Sequence, residues 1–91
     1  MIIRIQGEGQ YRLADAELEE INRLDAVLEA ALAAGDDGVA EALAALLAEV
    51  RTAGAELADD ELVESDVILP ASDATADELR QMLGDDGLVP G

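Results

Sequence analysis

The chain has 91 residues, with 22 Asp and Glu against 5 Arg for a formal charge of −17, and it contains no Lys, His, Cys or Trp. Those absences exclude a thiolate nucleophile, an imidazole base, a zinc site of the usual ligands, a disulfide scaffold, a Schiff-base lysine and a phosphate-binding P-loop lysine. Leu, Ile and Val number 25, above the composition of disordered segments, but 18 of the remaining apolar residues are Ala and Tyr11 is the only aromatic, so the core is aliphatic and thin.

Residues 1–13 read as a β-hairpin. Ile2-Ile3-Arg4-Ile5 supplies a β-branched strand, Gly7-Glu8-Gly9 breaks it, and Gln10-Tyr11-Arg12-Leu13 alternates polar and apolar. Asp15 is the expected N-cap of a long helix whose Leu18, Ile21, Leu24, Leu28 and Leu32 fall in an arc of about 120°. Glu19 and Arg23 are placed to pair across one turn. Gly35-Asp36-Asp37-Gly38 ends that helix, with Gly35 at the C′ position and either Asp as the next cap. A loop this short makes the second helix antiparallel to the first. That helix spans about Val39 to Ala53, stops at Gly54, and carries Val39, Leu43, Leu46, Leu47 and Val50 on one face. Its reverse face, with Ala44, Ala45 and Ala48, needs no partner, since Ala is the best helix former.

Residues 55–66 form an acidic connection with a short helical turn expected at Leu62. Val67-Ile68-Leu69, ended by Pro70, is a third strand. Thr75 and Glu78 form a capping box opening a short helix through Leu79 and Met82, which ends at Gly84, and the tail through Leu88 and Val89 adds a brief extended piece. No linker-like stretch divides the chain, so residues 1–91 read as a single domain. The expected fold is α+β: an N-terminal β-hairpin, an antiparallel αα-hairpin packed on a small sheet, a third short strand and a C-terminal short helix.

Charge narrows the function classes further. A net −17 repels phosphate backbones and anionic lipid, and Arg4, Arg12, Arg23, Arg51 and Arg80 form no basic run, so neither nucleic-acid binding nor direct membrane insertion is expected. No window approaches a membrane span and no basic region followed by an apolar run opens the chain, which points to a cytoplasmic protein. Paired carboxylates are abundant, but a glycosidase-like pair needs an aromatic-lined cleft that one Tyr cannot build. Asp73, Thr75 and Asp77 follow the alternate-oxygen start of a calcium loop, yet Glu78 stands where Gly is required and Gly84 where the bidentate Glu belongs. Gly7-Glu8-Gly9 lacks the third Gly of a dinucleotide fingerprint, and Glu8 would repel a pyrophosphate. No enzyme activity, metal or cofactor is expected. The hairpin offers one candidate contact site, an exposed Tyr11 beside Glu8, Gln10 and Arg12, acting as an anchor for a protein partner.

The run from Met1 to Leu13, with Gly7-Glu8-Gly9-Gln10-Tyr11 as its most specific part, resembles the PspA-associated domain family, PspAA. Ile68-Leu69-Pro70, Asp73 to Leu79 and the closing Gly87-Leu88-Val89-Pro90-Gly91 extend the resemblance over essentially the whole chain. It implies association with phage shock protein A, a coiled-coil protein that binds the inner face of the membrane during envelope stress. On that footing the chain is a non-enzymatic accessory or regulatory protein of the membrane stress response, peripheral at the membrane through its partner. The resemblance carries no catalytic residue. The physical fit is that an acidic domain docks on basic stretches of a helical partner. The alternative is a self-assembling structural homodimer built on an exposed strand edge and the Ala-rich helix face.

Overall fold

The computed structural model describes residues 1–35, 37–58, 60, 61, 63–82 and 88. In chain order these form β1 (Ile2–Ile5), β2 (Gly9–Arg12), α1 (Asp15–Ala33), α2 (Val39–Ala53), β3 (Ala55–Glu56), β4 (Val67–Leu69) and α3 (Ala76–Met82). The α+β expectation holds, with the helix pair packed on a mixed sheet of strand order β3-β2-β1-β4.

The hairpin closes as its glycines predict. Glu8 N–H donates to Ile5 C=O at 3.0 Å, and Gly7 takes the third position of that turn at φ 82°, a conformation that a side chain resists. β2 pairs antiparallel with β1, Ile3 opposite Tyr11 and Arg4 opposite Gln10. β4 joins the other side of β1 in parallel, setting Val67 beside Ile3 and Leu69 beside Ile5. Period-two alternation then divides the sheet into two faces. Ile3, Ile5, Tyr11, Val67 and Leu69 face the helices and are buried with Leu13, while Arg4, Arg12 and Ile68 on the outer face are exposed.

Helix α1 buries Ile21, Leu28 and Leu32, and leaves Leu18 and Leu24 half-buried at the margin of the same stripe. Helix α2 buries all five expected positions plus Ala42. Each fully buried Leu or Ile removes enough apolar surface to contribute about 1.5–3 kcal/mol, so these two stripes and β1 dominate folding.

Several local details depart from the sequence reading. The N-cap of α1 is Ala14, not Asp15; Ala14 is extended, and Glu17 reaches back so that its Oε1 accepts from Ala14 N–H at 3.0 Å. Glu17 thus satisfies a free helix-end donor without a capping side chain. Arg23 pairs with Glu20 rather than Glu19, donating from Nε at 2.6 Å and Nη2 at 2.8 Å, because residues three apart are as close as those four apart. The N-cap of α2 is Gly38 at φ 82° with no side-chain cap, which places Asp37 one residue too early; Asp36 lies outside the described residues. The Thr75–Glu78 capping box forms as expected: Glu78 N–H donates to Thr75 Oγ1 and Thr75 N–H to Glu78 Oε1, both at 3.2 Å. The connection after α2 contains an additional strand, β3, registered with Tyr11 and Arg12. The expected turn at Leu62, the helix end at Gly84 and most of the tail lie outside the described residues.

One acidic residue sits inside the α1 stripe. Asp25 is 3% exposed, and its Oδ1 accepts from the N–H of Leu88, itself buried in the core. A second long-range tie comes from α3, where Arg80 Nη2 donates to Leu32 C=O at 3.1 Å, a cation at the carbonyl end of α1 where the helix dipole favours positive charge.

Candidate partner-binding site

Strands β3 and β4 lie on opposite edges of the sheet, and the helices cover one face. Residues 57, 58 and 63–66 therefore lie along the other face as a strap. It is fixed at both ends and in the middle: Leu57 N–H donates to Gln10 C=O at 2.9 Å, Gln10 Nε2 donates to Val63 C=O at 2.7 Å and to Ser65 Oγ at 2.8 Å, and Asp66 N–H donates to Ile2 C=O at 2.8 Å. The Asp66 carboxylate returns the contact, accepting from Ile2 N–H at 2.8 Å. Gln10 is consequently only 6% exposed although it points away from the helical core.

Of the four candidate contact residues, two are on the surface and two are not. Tyr11, expected to be exposed, is 8% exposed; its register opposite Ile3 turns the ring toward the helices, and it packs in the core cluster. Burial, then the negative charges of Glu8 and Glu56, push its hydroxyl pKa up, so the phenol stays neutral. Gln10 is spent on the strap. Glu8 and Arg12 are exposed, Glu8 in the turn and Arg12 at the end of β2. The arrangement is a hairpin rim with Glu8 and Arg12 outside, Tyr11 turned into the core on one face and Gln10 held by the strap on the other.

Glu8 has a partner that spacing gave no means to find. Arg51, in the last turn of α2, donates to its carboxylate, with Nε at 3.0 Å from Oε2. That hydrogen bond holds the Glu8 carboxyl below its ordinary pKa and raises that of Arg51. The fork ties the hairpin turn to the helix layer across 43 residues of sequence. Between the strap and the hairpin lies a groove of about 190 Å³, bordered by Arg4, Glu8, Gln10, Leu57, Glu61 and Val63. It is smaller than the roughly 300–1,000 Å³ of typical ligand pockets and is lined by charges of both signs.

Among the described residues no three acidic side chains converge as a metal ion requires, and Asp73, Thr75 and Asp77 do not form such a group. Thr75 serves the capping box, and Asp77 accepts from Arg80 at 3.3 Å. No helix among the described residues is long and apolar enough to cross a membrane. Arg23, Arg51 and Arg80 are ion-paired, whereas Arg4 and Arg12 have no ion pair among the described residues.

No curated protein and no solved structure matches the chain. A family model does: PspAA, described as PspA-Associated protein, matches residues 1–91, the full length that the hairpin, strap and tail residues occupy. By that whole-length match, the chain belongs to the PspAA family.

Proposed function

We propose that this protein is a non-enzymatic accessory or regulator that binds phage shock protein A in the membrane stress response. The observation carrying the reading is the family match over residues 1–91 under the description PspA-Associated protein. The charge supports it physically: at −17 the chain is steered toward a basic surface on a protein, and its encounter rate falls as salt screens the field. The same charge keeps it off anionic lipid, so residence at the inner membrane face is conferred by the coiled-coil partner, and the chain itself is cytoplasmic. Residues 1–91 act as one domain. Glu8 and Arg12 make the exposed part of the contact at the hairpin rim, and Gln10 and Tyr11 fix the strand that presents them. Co-purification with phage shock protein A from cells holding both at native levels, with the partner identified by mass, tests the proposal. Capture at low salt is expected; its absence there overturns the reading.

A further inference from the structure

We propose that the outer edge of β4 is a strand-addition site, accepting a short extended segment of a protein partner in which apolar residues alternate with Lys or Arg. The proposal rests on the reading of this chain as one that acts by contact, and it adds to the hairpin rim a second place of engagement, on the opposite side of β1 from β2.

Among the described residues β4 is the edge strand on its side of the sheet. It registers Ile68 with Arg4, and Gln6 N–H donates to Leu69 C=O. In a parallel ladder of that phase the bonds to β1 come from residues 67 and 69, which turns the Ile68 N–H and C=O outward. The side chain agrees with the backbone: Ile68 is 50% exposed, one of two large apolar residues left on the surface among the described residues.

The two edges are not alike. β3 is two residues long and carries Glu56, the charged, truncated form by which natural sheets discourage pairing. β4 reads Val-Ile-Leu with no charge, and Pro70 limits the added ladder to about one short strand, since proline has no N–H to extend it.

Charge selects the occupant. Asp66 precedes the strand and Asp73 follows it, two acids against the one cation Arg4 beside Ile68, and the chain carries −17, so a basic segment is attracted where a second copy, bearing the same −17, is repelled. Strand addition supplies affinity through main-chain hydrogen bonds, and here specificity comes from an apolar residue beside Ile68 with cations flanking it.

The full chain is titrated with a short peptide of alternating Lys and Val, and with its twin carrying Glu for Lys, while amide exchange is followed residue by residue. The Lys peptide is expected to slow exchange at Ile68 by about tenfold or more, and the Glu twin to leave it unchanged. Ile68→Pro removes the outward donor and leaves the bonds of residues 67 and 69 to β1, so it is expected to weaken binding about tenfold. Ile68→Lys keeps the donor and adds a like charge, and is expected to weaken the Lys peptide while sparing the fold, which keeps the test decisive if the proline variant unfolds. An unprotected Ile68, equal binding of the Glu twin, or unaltered affinity in both variants overturns the proposal. So does a chain that dimerises with Ile68 already protected, which would assign the edge to a second copy. Co-purification with phage shock protein A is a separate readout, so the partner reading and the edge assignment fail independently.

Discussion

Replacing Gly54 with alanine isolates how tightly α2 is held against the hairpin. Gly54 is the C-cap of α2 at φ −84°, ψ 155°, a backbone that any residue adopts. With no conformational need for glycine, Gly54→Ala would on chain entropy alone stabilise the fold by about 0.4–1 kcal/mol. Space reverses the sign. An added Cβ would lie 2.7 Å from Val50 C=O and 2.9 Å from Tyr11 Cβ, with Leu13 Cδ1 at 3.4 Å. The two nearest atoms belong to, or are fixed on, backbone, so relief requires the end of α2 to distort at Val50 and to shift away from β2 at Tyr11. Overpacking of this kind costs about 1–3 kcal/mol, leaving a net loss of about 1–2 kcal/mol after the entropic gain. For a chain of this size that is a fall in Tm of about 5–15 °C. Denaturant unfolding followed by far-UV circular dichroism, with the slope compared to confirm an unchanged unfolding surface, measures it. A variant as stable as the parent, or more stable, refutes the close approach of α2 and β2.

Three further outcomes follow from the same geometry. Gln10→Leu removes both hydrogen bonds to Val63 and Ser65 and leaves the half-buried Val63 carbonyl without that donor, so stability is expected to fall by about 1–2 kcal/mol with faster amide exchange along residues 63–66; unchanged exchange there would mean the strap is held by other groups. The Glu8 carboxyl is held below its ordinary pKa by the hydrogen bond from Arg51, so its stabilising part is fully present above the ordinary carboxylate range and lost as pH falls through the depressed value. Because both side chains are more than a third exposed, that part is below about 1 kcal/mol, and Glu8→Gln should remove it at neutral pH while leaving stability in strong acid equal to the parent. Finally, the excess of acidic over basic groups strains the compact state, so Tm should rise on adding salt; a flat response would show that the carboxylates do not repel one another appreciably.

What the sequence made legible is what repeats locally. The stripes Ile21-Leu28-Leu32 and Leu43-Leu46-Leu47-Val50 stand out at helical period, Gly7 marks its turn, and Thr75 with Glu78 announces a helix start. What stayed hidden depends on long-range pairing. Ala55-Glu56 has no strand propensity and becomes β3 only because it lies against Tyr11 and Arg12. The parallel contact of β4 with β1 joins segments some 64 residues apart, and no local pattern signals it. Tyr11 is buried against expectation for a related reason: alternation along β2 gives two faces without saying which is covered, and here the helices take Tyr11 while the strap takes Gln10. Asp25 interrupts a predicted apolar stripe, and a partner that serves its buried carboxylate, the N–H of Leu88, is far along the chain. Arg51 and Glu8 are likewise distant in sequence, so their fork could be found only in three dimensions.

Docking of this acidic fold on a basic surface of phage shock protein A is the function proposed above. Calorimetric titration of that protein with the full chain, repeated from low to high ionic strength, tests it most directly. Saturable binding at low salt that weakens steadily as salt is added is the expected result. Absence of binding at low salt, or an affinity indifferent to salt, would contradict it.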